Sequence, residues 1–159
     1  MMTEAQLQAL AGAIRSSADT EVVAALAIRN DFRLAELYNA PSGRIVWRSS
    51  VSKNEVGKAF VASALAAITA GNNDKLANFA AWNETVEPAR ADQRAFFDDI
   101  FSVAAGATTR AALNALWRRP ATRAESIFAV GTGTEAAPAT LGWEGAVSLN
   151  DISDALNRY

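Results

Sequence analysis

Four of the apolar runs in this chain are preceded by a Ser or Thr that has Gln, Glu or Asp three positions on. They are Thr3–Gln6, Ser52–Glu55, Thr122–Glu125 and Ser148–Asp151. In each pair the hydroxyl can accept from an N–H of a helix's first turn. The residue three positions on can reach back to the cap's own N–H, so each pair marks a helix start. Further caps and breakers between these starts leave room only for short helices. The expected fold is therefore all-α: a compact bundle of about six to eight short helices.

The apolar spacing agrees with this. Leu7, Leu10 and Ile14 recur on one helical face, and Ser16-Ser17 closes that run. Asp19 is the next N-cap candidate, ahead of Val22, Val23 and Leu26. Asn30-Asp31 breaks or kinks the run before Leu34, Leu37 and Tyr38. Pro41-Ser42-Gly43 reads as a turn, and Ile45-Val46-Trp47 as a short extended or edge segment. Ser52 opens a helix through Val56, Phe60, Ala64 and Ile68, with Gly71 just past its end. Asn72 or Asn73 caps a helix carrying Leu76, Phe79 and Trp82. Pro88 suits the first position of another, with Phe96, Phe97 and Ile100, ended by Gly106. Thr108 or Thr109 opens one with Leu113, Leu116 and Trp117, and Pro120 breaks it.

The helical period fails between Gly131 and Gly145, where Gly131, Gly133, Gly142 and Gly145 open conformations closed to other residues. A small hairpin fits there. One domain is expected at this length. It would comprise a helical body over 1–129 and, over 130–159, an extended C-terminal segment with a short final helix. That segment would lie on its own core or reach a neighbouring subunit as a docking arm.

The chain has no His and no Cys. This removes the commonest catalytic base, thiolate metal ligands and disulfides. A serine nucleophile would need Lys or a carboxylate as its base, and lysines stand only at 53, 58 and 75. Asp98 and Asp99 point about 100° apart on a helix and do not converge, with or without Asp92. Glu84 and Glu87 have no spacing that sets an acid/base pair. Gly131-Thr132-Gly133-Thr134 lacks the Lys-Ser/Thr of a phosphate loop. No enzyme activity, metal or cofactor is expected. A net charge of −2 and a pI of about 5.2 give no global grip on nucleic acid. The Ala59–Ala70 run is too short for a membrane span, and Met1-Met2-Thr3-Glu4 shows no signal-peptide pattern.

Arg110, Arg118, Arg119 and Arg123 gather around Pro120. They would meet nucleic acid or an acidic partner surface, or complement the end of the helix near Trp117. Trp47, Trp82, Trp117 and Trp143 read first as packing residues, with Trp143 in the irregular stretch the best anchor for a neighbour's pocket. The candidate protein-interface residues are Trp47, Arg48, Arg118, Arg119, Gly131, Gly133, Pro138, Leu141 and Trp143.

Several segments resemble a family of small tailed-bacteriophage proteins from the head and neck gene region. They are Ile45–Val51, Ala121–Glu125 with Phe128-Ala129, Gly131–Thr134, Ala137–Gly142, Glu144-Gly145 and Ser148. The resemblance implies a virion structural protein of head-to-tail adaptor or head-completion type. Such a protein is made in the host bacterial cytoplasm and sits in the virion neck as a homo-oligomeric ring. Its partners would be the portal and the tail or neck proteins. DNA would pass nearby without specific binding, and no membrane is involved. Ring contacts would use Trp143, Arg118, Arg119 and the Ile45–Val51 strip. The arm from about Val130 would dock on another chain, and deleting 131–159 would spare the fold. A capsid decoration or tail-completion protein, or a helical DNA-packaging subunit, is the alternative. Against the last, Ala5–Ile14 has no basic residue.

Overall fold

The computed structural model describes residues 2–159. From the N-terminus come α1 (Glu4–Arg15), α2 (Thr20–Ala27), α3 (Asp31–Asn39), β1 (Pro41–Trp47) and β2 (Val51–Ser52). Then follow α4 (Lys53–Lys58), α5 (Ala62–Ala67), α6 (Ala70–Trp82), β3 (Thr85–Val86) and α7 (Ala91–Ile100). After a 3₁₀ turn at Ala104–Gly106 come α8 (Ala107–Leu116), β4 (Arg118–Thr122), α9 (Arg123–Phe128), β5 (Ala129–Val130), β6 (Thr140–Leu141) and α10 (Leu149–Arg158). The protein is mostly helical, but 13% of it is strand, so it is not purely all-α. Three two-stranded sheets join β1 to β4, β2 to β3 and β5 to β6. The last two are antiparallel, with Val51 opposite Val86 and Ala129 opposite Leu141. The β5–β6 pair is the small hairpin expected in the C-terminal stretch.

All four capping boxes form, at Thr3, Ser52, Thr122 and Ser148. Asp19 and Asn30 cap α2 and α3 as their side chains allow. The middle of the chain differs from expectation, because tertiary partners restart its helices. The run after Ser52 is not one helix. It stops at Lys58 and restarts at Ala62, where the hydroxyl of buried Thr109 accepts from Val61 N at 3.1 Å. Thr69, not Asn72 or Asn73, caps α6, so Gly71 lies in its first turn rather than past a helix end. Pro88 precedes α7, whose N-cap is Arg90. That helix ends at Ile100, and Gly106 stands at the start of α8 rather than the end of α7. These restarts raise the helix number to ten among the described residues.

The chain forms two compact units, one of residues up to Ile45 with Pro120–Tyr159, the other Val46–Arg119. The division therefore falls within β1 and β4 and not at 129/130. The reason lies in α10, whose Ile152, Ala155 and Leu156 are buried with Leu7, Leu10 and Ile14 of α1 and Leu34 of α3. Arg15 donates to Leu156 O at 3.0 Å. Asn39 brackets Val147, donating to its carbonyl at 2.9 Å and accepting from its N–H at 2.8 Å. Residues 147–159 complete the first core rather than hanging from it. The second unit has its own core, in which Phe97, Ile100, Phe101, Leu113 and Trp117 are buried with Val51 and Val86. Phe97 meets Trp117 edge-on at 5.6 Å, and Phe79 at 5.4 Å.

Candidate functional site

In the first unit, the irregular stretch is built around Arg44 and Glu125. Residue 45 forms backbone bonds to this stretch on both sides: Ile45 N donates to Gly133 O at 2.8 Å, and Ala139 N to Ile45 O at 2.9 Å. The 131–139 loop thus continues β1 laterally. Arg44 crosses beneath it, its guanidinium donating to Ser126 O at 3.0 Å and to Gly131 O. Ser42 and Ser126 share a hydroxyl–hydroxyl bond of 2.6 Å, and Ser42 donates to Ala121 O. Glu125 is 2% exposed. Its carboxylate accepts from Thr122 N at 2.9 Å and from Gly145 N at 3.4 Å, satisfying two donors on either side of α9. Gly142 N donates to Phe128 O, fastening the far end.

Two glycines make this geometry possible. Gly131 and Gly133 have φ of +114° and +74°, where side chains are strained. Gly133 and Thr134 both donate to Ala137 O, at 3.0 and 3.1 Å. The N–H groups that a phosphate would need are therefore already taken by the loop's own carbonyl. Pro138 is half-buried before buried Ala139, and Leu141 is half-buried on β6. Trp143 packs edge-on to Phe128 at 5.7 Å and against the first core.

In the second unit, the remaining candidates converge on Trp47. Arg94 lies over its ring at 4.2 Å and Arg118 at 6.0 Å. Cation–π attraction of this kind holds a guanidinium against a half-buried indole. Arg94 also donates to Pro88 O, and burial lowers its pKa from the ordinary guanidinium value. Arg118 donates to Asn114 O at 2.8 Å, covering a last-turn carbonyl of α8 as a cation at a helix end should. Arg48 pairs with Glu55 at 3.1 Å, and bonds from Ser52 and then Arg48 hold that carboxyl below its usual range. Arg119 is half-buried on β4. Arg123, in the first unit, pairs with Asp19 at 2.6 Å.

The acidic candidates are engaged singly: Asp99 with Lys75, Asp92 with Arg90, Glu84 with Lys53 and Glu87 with Arg90. Among the described residues no group of His, Cys, Asp or Glu could hold a metal ion, and no helix is long and apolar enough to cross a membrane. Ser50-Val51-Ser52-Lys53 has Ser-x-x-Lys spacing, yet Ser50 precedes β2 while Lys53 begins α4, so the two do not share a helical turn. Sequence reasoning missed Arg44, Arg94 and the burial of Glu125. The Thr122–Glu125 spacing was the only local signal for the last.

No protein-family model, curated protein sequence or solved structure matches the chain.

Proposed function

We propose that the chain is a structural protein of the tailed-bacteriophage virion: a head-to-tail connector that joins portal to tail by assembling into a ring, with no catalytic step of its own. One observation carries this reading. Most of the segments that bear the resemblance, namely Ile45, Ala121–Glu125, Phe128-Ala129, Gly131–Thr134, Ala137–Gly142 and Glu144-Gly145, assemble around Arg44 and Glu125 in the first unit, while Val46–Val51 belongs to the second unit and Ser148 caps α10. Their residues serve backbone geometry and loop fixation, which suits a surface presented to another protein. Thr132 and Thr134–Ala137 stand exposed at the loop's outer edge and are the part offered to a partner. In this reading the hairpin is a pre-shaped contact for the portal or a tail protein, and DNA in the channel is not bound specifically.

The test is to locate the protein in purified particles by electron microscopy. A ring of density beneath the portal is expected. Density over the capsid faces, or absence from mature particles, overturns the connector reading.

A further inference from the structure

Helix α6 is the longest of the second unit, yet none of its 13 residues is fully buried. Its inward stripe, continued to the cap residue, is Asn72, Leu76, Phe79 and Asn83, each half-buried, and the positions between them are exposed. Only two of those four side chains are apolar. Phe79 stacks on Phe96 at 5.0 Å and meets Phe97 edge-on. Asn72 donates to Ile100 O at 3.1 Å, whereas Asn83 bonds back onto Phe79 O of α6 itself. The remaining tether, Lys75 to Asp99, is a solvent-exposed ion pair of little weight. By contrast, α7 buries Phe97 and Ile100, and α8 buries Thr109 and Leu113.

The seam beneath α6 is also incompletely filled. An apolar cavity of about 70 Å³ separates Leu76, Phe79 and Ala80 of α6 from Val56, Phe60 and Phe97. Atoms that line a void lack the partners a close-packed core gives them, so the seam holds less well than its area implies. The start of α6 adds little of its own, because Gly71-Asn72-Asn73-Asp74 are poor helix formers. The chain on either side is firmly held. Ile68 and Val86 are buried in the second core, and Val86 pairs with Val51. Lys53 N donates to Glu84 O at 2.9 Å. Residues 69–83 thus form a strap pinned at both ends and weakly held in the middle.

We infer that α6 is a hinged lid on the second core, which opens as one unit while α7, α8 and the β2–β3 pair stay folded. Extended backbone at Ile68 and Thr69 on one side and at Asn83 on the other supplies the hinges. Opening gives up the partial burial of two apolar side chains, one amide bond and one exposed ion pair. It uncovers Val56, Phe60 and Phe97, an apolar surface hidden while the lid is shut. A contiguous segment held this way has its own opening free energy, below that of global unfolding. The lid lies wholly in the second unit and does not rest on the connector reading.

The test is native-state hydrogen exchange on the full chain, with and without Leu113→Ala. Leu113 is buried on α8 and does not line the cavity. In wild type, the backbone amides of residues 74–83 should share one opening constant, at least about 10-fold larger than that of the Phe97 and Ile100 amides. Leu113→Ala weakens the part of the core that stays folded. It should speed exchange at Phe97 and Ile100 by more than about 10-fold and leave residues 74–83 unchanged. Leu113→Val replaces it if that variant misfolds. Because the chain has no Cys, a single thiol gives a second readout. Val56→Cys, on the cavity wall, should react with a bulky maleimide at a rate set by lid opening and unaltered by Leu113→Ala. Amides 74–83 that accelerate together with Phe97 and Ile100, or a thiol at position 56 labelled only as fast as the whole protein unfolds, overturn the lid. So does a gradient of rates fraying inward from one end of α6, since a lid opens all at once.

Discussion

The stem of Arg44 occupies the space where a side chain on Gly133 would begin: a β-carbon there would overlap Arg44 Cγ and lie 2.7 Å from its Nε. Gly133→Ala should therefore push the Arg44 stem aside and strain the backbone at φ +74°. The expected cost is about 2–4 kcal/mol, read as a lower urea midpoint. Gly12→Ala is the control. Gly12 lies mid-helix in α1 with no atom near its missing β-carbon. That change should stabilise by about 0.5–1 kcal/mol. Equal effects from the two would remove the argument that Gly133 is placed for Arg44.

At Arg29 the backbone, at φ +52°, would prefer glycine, and the side chain explains why arginine is there. Its bonds to Asp31 and Asn157 link the α2–α3 corner to α10. Arg29→Ala keeps the strained φ and loses both bonds. Arg29→Gly loses the bonds but removes the strain. The glycine variant should be the more stable of the two by about 1 kcal/mol. Denaturant unfolding of both variants decides it, and an alanine variant of equal or greater stability refutes it.

The ends of helices were legible wherever a cap is local. Thr3, Asp19, Asn30, Ser52, Thr122 and Ser148 each lie within three residues of the N–H they serve, so spacing alone finds them. The break between α4 and α5 was not legible, because the group that restarts the chain at Val61 is Thr109, 48 residues away. Arg29 was hidden for a different reason: a left-handed turn is expected at Gly or Asn, and neither stands there. In the candidate site, the glycines of the 131–145 stretch announced an irregular loop. The residues that fix its shape, Arg44 and Glu125, do so from 87 and 20 positions away. Trp47 was singled out from its β-prone context, but its partner Arg94 sits among the acids of α7 and carries no pattern of its own.

Burial at Glu125 predicts a strong response to truncation. Glu125→Ala removes the acceptor for Thr122 N and Gly145 N, two part-buried bonds. A loss of about 1–3 kcal/mol is expected. Glu125→Gln retains one acceptor oxygen and should cost less. If alanine and glutamine are equivalent, the carboxylate is not what ties α9 to the end of the loop.

Deleting Leu149–Tyr159 should abolish cooperative unfolding of the first unit. The deletion strips Ile152, Ala155 and Leu156 from a core that α1 and α3 cannot close alone. The second unit has a separate core, so part of the helical signal should persist with its own transition. A truncated chain whose first unit still melts cooperatively would return α10 to the status of a docking arm.

The Asp19–Arg123 pair ties the N-cap of α2 to α9, and it sets a direction for acid sensitivity. The hydrogen bond from Arg123, then those from Glu21 N and Val22 N, hold the Asp19 carboxyl below its ordinary value. A carboxyl lowered in the folded state binds fewer protons there than in the unfolded chain. Its contribution is therefore complete above the unfolded pKa of about 4 and is lost as pH falls through the folded value. Below pH ~4, wild type should lose stability more steeply than Asp19→Asn. Above pH ~5 the two should differ by a constant amount. The pair is partly exposed, so added salt should shrink that difference. Urea midpoints for both proteins across this range provide the measurement. Parallel acid limbs would mean that Asp19 titrates alike in the folded and unfolded chain, and that Arg123 does not bind its charged form.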